Sequence, residues 1–237
     1  RGDFGIGARF ARRDRAQRVP ARFLESGALH VERDMREIAR CLDAGDDVGE
    51  QFAERRAAFD LTGLPPDFEK VESLSYEAYV EELLAAPGFG ERWARHWLDL
   101  VGYADQIGTS NNVFAQHAWR YRDYVIDSFN NDKPFERFVR EQIAGDLLPY
   151  DSVEERAANL VATGFLVLGD IEIVEADKAK MLVDIVDQQL AKVSRAFLGM
   201  TIDCARCHDH KFDPISQTDY YAIAGFFHGT STVWKTN

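Results

Sequence analysis

The segment CARCH at residues 204–208 constrains what this chain can fold into more than any other feature. Its C-x-x-C-H spacing is typical of covalent c-type haem attachment. Two thiols on one helical turn each form a thioether with a haem vinyl group, and the next histidine becomes the proximal ligand of the iron. Because the chain has only three cysteines, a chance match would be rare. The motif therefore predicts haem c bound through Cys204, Cys207 and His208.

Two other roles for these cysteines stay open. Zinc would accept both thiolates together with His208 or His210, although structural zinc sites usually draw a second ligand pair from a distant loop. The third cysteine, Cys41, stands alone in the sequence. A disulfide between Cys204 and Cys207 is the other alternative if no haem is attached. A thioredoxin-like redox motif is not favoured, because the preceding sequence is predicted to be helical.

Composition sets limits on the class of protein. A chain of 237 residues can form one large domain or two small ones and can bury a core. No apolar run approaches the length of a membrane span, so no transmembrane segment is predicted. The net charge of -12 argues against a nucleic-acid-binding protein and fits a protein whose docking partner is basic.

The motif also predicts a location and a partner. Haem c is attached outside the cytoplasm, so we expect a periplasmic or otherwise exported protein. The opening residues 1–3 (Arg-Gly-Asp) do not begin a signal peptide, so we expect that the leader has been removed or that the sequence is a fragment. The expected partner is a redox protein or a neighbouring cytochrome domain.

Apolar residues recur at helical spacing in at least five segments of the chain. Strand signals are scarce, and no internal repeat emerges. We therefore predict a mainly α fold, an irregular helical domain of short-to-medium helices around the C-x-x-C-H haem attachment site. The following residues are predicted to be buried: Trp93, Trp97, Leu100, Tyr121, Val125, Phe138, Ile185 and Phe197.

Polar residues mark where several of the helices begin. Ser75, Ser152 and Asp177 each precede an apolar periodic segment, and their side chains are suited to accept hydrogen bonds from the first free backbone N–H groups. Two short apolar segments, residues 165–168 and 171–174, are the candidates for extended structure. The helix starts are thus predicted more firmly than any strand.

The first part of the chain differs in character from the rest. Residues 1–22 contain seven arginines and few large apolar residues, which is typical of a flexible basic arm. Cys41 lies on a short predicted amphipathic helix and would be an unpaired thiol. We predict a divergent or flexible N-terminal segment at residues 1–51 and the helical domain at residues 52–237.

Four blocks, at residues 59–66, 91–100, 118–126 and 204–215, together resemble a known family in order and spacing. This is the planctomycete-type cytochrome c-like domain of unknown function, domain of unknown function 1549, and the resemblance covers about residues 59–227. It implies one domain of a longer exported bacterial protein, often with a cytochrome c domain upstream and a second domain of unknown function downstream. The activity of this family is not established, and haem attachment is inferred from the motif.

The sequence restricts the second axial ligand of a haem bound by His208. No methionine follows Cys207. Met200 directly precedes the motif, and His210 is two residues from His208, so neither is expected to reach the opposite face of the haem easily. His96 lies on an apolar helix face between two tryptophans, where a neutral imidazole needs a partner. We predict His96 as the distal ligand or a haem-edge residue, with a core histidine as the alternative.

Polar residues directly after the motif are candidates for supporting His208. Asp209, His210 and Asp213 could hydrogen-bond to its imidazole and raise its basicity as a ligand. They could equally hold a loop or bind calcium, since carboxylates are ligands that this ion prefers.

These observations predict an exported c-type haem-binding domain that transfers single electrons within or to a larger assembly. The alternative is a domain of unknown activity in a catalytic assembly, in which Cys204 and Cys207 form a structural disulfide or a metal site. No G-x-S-x-G, P-loop or H-E-x-x-H motif is present, so hydrolase and nucleotide-binding functions lack support. Whether the chain is an enzyme is left open.

Overall fold

The structure is a computed structural model, and it describes residues 50–108, 113–169, 171 and 175–230. The predictions for residues 1–49, including Cys41, lie outside the described residues. Most of the described chain is α-helical: α1 Glu50–Leu61, α2 Phe68–Ser73, α3 Tyr76–Ala85, α4 Pro87–Val101, α5 Ala118–Asn130, α6 Phe135–Ala144, α7 Val153–Ala162, α8 Lys178–Val193 and α9 Gln217–His228. The predicted mainly α fold is confirmed.

Extended structure is minor in this part of the chain. Two strands of two residues each, β1 (Gln106–Ile107) and β2 (Val113–Phe114), pair antiparallel. Residues 165–168 are not extended, because Thr163–Leu166 forms a 3₁₀ turn after α7. A short buried apolar run has the same sequence pattern in a strand and in a helical turn, which explains this error. None of the described helices is long and apolar enough to cross a membrane.

The predicted helix starts are confirmed by their caps. The side chains of Ser75, Ser152 and Asp177 accept hydrogen bonds from backbone N–H groups in the first turns of α3, α7 and α8. Such caps satisfy donors that have no partner within the helix. These three residues therefore fix where their helices begin.

The main core lies among α4, α5, α6, α8 and α9 and is rich in aromatic side chains. Trp97 of α4 is its centre, with its ring centroid 4.9 Å from that of Phe138, 6.0 Å from Phe165 and 5.7 Å from Phe197. Its indole N–H donates to Gln142 Oε1 at 2.9 Å. Aromatic rings packed in this way fill the space between the helices.

Most of the predicted burial is confirmed. Five of the residues are buried as predicted: Trp97, Tyr121, Val125, Phe138 and Ile185. Trp93 and Phe197 are partly buried. Leu100 is 41% exposed, so that prediction was wrong. The buried face of α4 is centred on Ala94, Trp97 and Val101, and Leu100 lies at its edge in the last turn.

A second, smaller cluster forms where α1 and α3 pack against the start of α4. Its buried members are Ala57, Leu61, Val80, Leu84 and Phe89, and Trp93 packs partly against them. Helix α4 thus contributes to both clusters, Phe89 and Trp93 to the smaller one and Trp97 to the main core.

A buried carboxylate ties the loop after α5 to α6 and α5. Glu141 has a side chain only 2% exposed. It accepts hydrogen bonds from Lys133 Nζ at 2.5 Å, Arg137 Nε at 2.7 Å and Tyr124 Oη at 2.8 Å. We call these four residues the Glu141 cluster. Arg137 also bonds to Glu155 of α7 at 2.7 Å, so the cluster connects three helices.

Candidate functional site

A short 3₁₀ turn, Asp203–Arg206, contains the first three residues of the C-x-x-C-H segment, and Cys207 is the residue that caps its end. Cys204 and Cys207 are both exposed and carry free thiols, whereas Ala205 between them is 0% exposed and belongs to the main core. A 3₁₀ helix has three residues per turn, so side chains three apart share one side. The turn therefore packs through Ala205 and presents both thiols outwards.

This placement differs from the expectation that the helices would surround the two thiols. The space among the helices is filled by the aromatic side chains around Trp97, and Cys204 and Cys207 lie at the surface. A group attached to these thiols would therefore lie against the outside of the helical core rather than within it.

Arg206 anchors the turn to α8. Its Nη2 donates to Asp184 Oδ1 at 2.9 Å and its Nη1 to Asp187 Oδ2 at 3.0 Å. The hydroxyl of Tyr220 donates to the other oxygen of Asp187 at 2.5 Å. Hydrogen bonds from Lys180 and then from Arg206 hold the pKa of Asp184 below its ordinary value. We call Arg206, Asp184, Asp187 and Tyr220 the Arg206 cluster.

The other side of the turn is held by α9. The carbonyl oxygen of Arg206 accepts from Gln217 Nε2 at 3.0 Å and from Tyr221 Oη at 3.1 Å. The backbone N–H of Gln217 donates to Asp209 Oδ1 at 2.8 Å. The turn is thus fixed from both flanking helices, which preorganises the positions of the two thiols.

The position of His208 suits a metal ligand. The imidazole is exposed, and its Nδ1 lies 2.8 Å from the carbonyl oxygen of Asp209. With the proton on Nδ1 donated to that carbonyl, Nε2 keeps a free lone pair for a metal ion. Asp209 therefore supports His208 through its backbone, while its side chain bonds to α9.

His210 and Asp213 have a different role in the structure. The His210 side chain is only 6% exposed, and its Nδ1 accepts backbone N–H groups of Phe212 at 3.3 Å and Asp213 at 2.9 Å. The backbone N–H of His210 donates to the carbonyl oxygen of Ile215 at 2.8 Å. These contacts close the loop at residues 210–215, so a role for either residue beside His208 stays a prediction.

His96 lies beside the smaller cluster. Its ring centroid is 5.3 Å from that of Trp93, which packs against that cluster. Burial, and then the neighbouring charge of Arg92, lower the pKa of His96, so it is neutral at neutral pH. Ala205 of the motif belongs instead to the main core. The assignment of His96 as the distal ligand stays a prediction.

An apolar groove of about 260 Å³ lies next to the motif. The groove is bounded by the end of α8, the loop before α9 and α9 itself. Its apolar lining consists of Leu198, Met200, Ile202, Pro214, Ile215 and Ile223. Ile202 is two residues before Cys204, so the groove adjoins the attachment turn directly.

Haem and zinc require different arrangements of donor atoms. Within residues 50–108, 113–169, 171 and 175–230, no three His, Cys, Asp or Glu side chains are arranged to hold a metal ion. Zinc needs four donors converging on one point. Haem c does not, because the two thiols bond to separate vinyl groups and only His208 binds the iron. The exposed Cys204 and Cys207 thiols and the exposed imidazole of His208 are compatible with haem attachment, which stays a prediction.

Comparison with known proteins places the chain in a family. A family model described as PSCyt2, protein of unknown function (DUF1549), matches residues 39–232. The chain belongs to this family. The PSCyt2 match includes all four sequence blocks, so the predicted resemblance is confirmed. It begins ahead of the predicted domain boundary at residue 52, which stays a prediction. No curated protein and no solved structure matches the chain.

Sequence reasoning missed the residues that hold the turn in place. Asp184 and Asp187 are one turn apart on α8, a spacing that puts them on one helix face. That spacing alone does not reveal Arg206 as their partner, since the ion pairs span 22 and 19 residues. In the sequence, Arg206 is distinguished only by its position between Cys204 and Cys207, which makes it a candidate for fixing the motif.

Proposed function

We propose that this domain is an exported c-type haem-binding domain that takes part in one-electron transfer within or to a larger assembly. The observation that carries the proposal is the outward presentation of Cys204 and Cys207 on a fixed turn, followed by His208 with its Nδ1 on a backbone carbonyl. When bound, haem supplies a one-electron redox centre.

Different residues of the chain hold the turn, provide the attachment thiols and orient the proposed iron ligand. Ala205 secures the turn against the core, and Arg206 secures it to α8. Cys204 and Cys207 remain accessible for thioether formation. The carbonyl of Asp209 fixes the orientation and tautomer of His208, which raises the basicity of the ligand nitrogen.

Surface charge supports a basic electron-transfer partner. The chain has a net charge of -12, and complementary charge accelerates the encounter of proteins that associate briefly. A redox protein with a basic face, or a neighbouring cytochrome domain, fits this requirement. Weak, transient interfaces are usual for such partners.

The test is the intact mass of the protein produced in an exporting host able to attach haem c. We expect the mass to exceed that of the polypeptide by one haem, and the product to keep its colour after denaturation. The variant Cys204→Ser with Cys207→Ser should lose the added mass. Cys41→Ser is the matched control and should keep it.

Two results would contradict the proposal. One is a mass equal to that of the polypeptide alone, with zinc present by metal analysis. The other is a mass lower by two hydrogen atoms, which would indicate an oxidised Cys204–Cys207 disulfide. Either would favour the alternative, a domain of unknown activity in a catalytic assembly with a structural role for these cysteines.

A further inference from the structure

The exposed side of the attachment turn presents two soft donor atoms. Cys204 and Cys207 both carry free, exposed thiols, and Ala205 between them is buried in the main core. The N–H of Cys207 donates to the carbonyl oxygen of Cys204 at 3.3 Å, so the two residues lie one tight turn apart. Side chains at this spacing share one side of the turn. Their sulfur atoms are therefore available to the same ligand.

The backbone at both cysteines is fixed from two directions. Arg206 binds Asp184 and Asp187 of α8 at 2.9 and 3.0 Å. Its carbonyl oxygen accepts from Gln217 Nε2 at 3.0 Å and from Tyr221 Oη at 3.1 Å. Chelation of one ion by both thiols then needs only rotation of the two cysteine side chains. A site that is ordered in advance loses less entropy when its ligand binds.

Other metal-binding groups close to the thiols are engaged. His208 Nδ1 lies 2.8 Å from the carbonyl oxygen of Asp209, and Asp209 Oδ1 accepts from the N–H of Gln217 at 2.8 Å. Within the described ranges, no three His, Cys, Asp or Glu side chains are arranged to hold an ion. Zinc and calcium need at least four donors. Two thiolates alone suit a soft ion that accepts linear coordination, and Cu(I) is such an ion.

We propose that Cys204 and Cys207 bind one Cu(I) ion through their two sulfur atoms in the haem-free chain. Each thiol loses its proton as its sulfur binds, and the copper keeps its oxidation state. A sulfur that has formed a thioether with haem no longer provides a thiolate, so copper and haem exclude each other. Bound copper therefore prevents haem attachment until it is removed, a consequence that rests on the proposed function.

The test uses the full chain with Cys41→Ser, produced without haem and kept reduced and free of oxygen. Cys41 is replaced because it is the third cysteine of the chain. Titration of Cu(I) against the coloured chelator bathocuproine disulfonate measures stoichiometry and affinity. We expect one Cu(I) per chain. X-ray absorption should show two sulfur neighbours of the copper and no nitrogen or oxygen neighbour, and a third donor would overturn the proposed site.

Three variants in this background identify the donors. Cys204→Ser and Cys207→Ser should each weaken Cu(I) binding by roughly a hundredfold or more, because the second thiolate binds at the high effective concentration set by the turn. His208→Ala is the matched control beside the thiols and should leave the affinity unchanged. A loss in His208→Ala as large as that in the cysteine variants would overturn the two-sulfur site.

Thermal unfolding separates a site built by the fold from one that any reduced chain offers. A ligand that binds the folded chain more tightly than the unfolded chain raises the unfolding temperature. One equivalent of Cu(I) should raise this temperature in the Cys41→Ser chain. It should not do so when Cys204 and Cys207 are also replaced by serine. An unchanged unfolding temperature in the Cys41→Ser chain would contradict a preorganised site.

The inference and the proposed function fail in distinguishable ways. Covalent haem in the exported protein, without Cu(I) binding in the haem-free chain, would overturn the inference alone. Cu(I) binding with no covalent haem in the exporting host would contradict the proposed function alone. Protein that already carries covalent haem should not bind Cu(I). If it did, groups other than the two thiols would hold the ion, and the inference would be wrong.

Discussion

The central group is an anion in the Glu141 cluster and a cation in the Arg206 cluster. In one, a carboxylate is held by two cations and a tyrosine. In the other, a guanidinium binds two carboxylates, one of which also binds a tyrosine. Their burial differs, since the side chain of Glu141 is 2% exposed and that of Arg206 is 31% exposed.

The difference in burial gives the two clusters different roles. A buried charge is costly unless every partner is present, so the Glu141 cluster makes the packing of α5, α6 and α7 depend on one carboxylate. The Arg206 cluster is partly solvated, so water can replace lost partners. Of these two charges, the one that depends more on its partners lies in the structural core, and the more tolerant one lies under the C-x-x-C-H turn.

Removing the buried carboxylate should have the largest effect. Glu141→Gln keeps the shape of the side chain but leaves Lys133 and Arg137 without their shared anion. We expect the free energy of unfolding, measured by urea denaturation at pH 7, to fall by about 3–5 kcal/mol.

Glu136→Gln is the matched control on the same helix. It breaks an exposed pair with Arg140 at 2.6 Å, and we expect a loss of about 0.5 kcal/mol or less. If both variants lost a similar free energy of unfolding, burial would not make the Glu141 ion pairs more stabilising than the exposed pair, and the comparison would fail.

Acid should weaken the Glu141 cluster without any mutation. Burial pushes the pKa of Glu141 up, but hydrogen bonds from Lys133, Arg137 and Tyr124 outweigh it, and the net pKa lies below its ordinary value of 4.5. The unfolded chain therefore binds the proton first as the pH falls. The stabilisation is present above about pH 4.5 and is lost as the pH falls through the lower, folded-state pKa.

Urea denaturation between pH 7 and pH 3 checks this expectation. The difference in unfolding free energy between the unmodified protein and Glu141→Gln should narrow below pH 4.5, because the variant has no carboxylate to protonate. A difference that stays constant over this range would mean that the ionised state of Glu141 does not stabilise the fold.

Breaking the Arg206 cluster should have a smaller effect on stability. Arg206→Met keeps an apolar stem but removes the guanidinium that binds both carboxylates. We expect the free energy of unfolding to fall by about 1–2 kcal/mol, because the site is partly solvated. The thiols of the haem-free variant should also react faster with a thiol reagent, since the turn is less fixed. A loss of unfolding free energy as large as that of Glu141→Gln would show that partial exposure does not reduce the cost of losing the ion pairs.

Arg122→Met is the control for the arginine change. Arg122 pairs with the adjacent Asp123 at 2.7 Å on an exposed surface, and its removal should change the unfolding free energy by less than about 0.5 kcal/mol. Thiol reactivity should be unchanged in this variant.

Local patterns in the sequence are enough to predict much of the fold. The periodicity of the apolar residues and the caps at Ser75, Ser152 and Asp177 depend on neighbours within one or two turns, so they can be identified without the tertiary structure. Leu100 shows the limit of this reasoning. Periodicity gives a helix face, but not the place where the neighbouring helix ends.

The site shows the same division between local and distant contacts. The spacing of Cys204, Cys207 and His208 is visible in the sequence, but the partners of Arg206 are on another helix. Glu141 carries a charge, which in a sequence usually indicates a surface position, and only its three partners explain its burial.

The attachment turn is held by residues of both flanking helices, and the two sets of residues enter the growing chain at different times. A chain that emerges N-terminus first contains α8 before Arg206, so Asp184 and Asp187 are present when the arginine appears. Gln217 and Tyr221 follow 11 and 15 residues later. Until α9 has folded against it, the turn is held from the α8 side only, so an enzyme that modifies Cys204 and Cys207 at that stage meets a looser substrate than the finished domain.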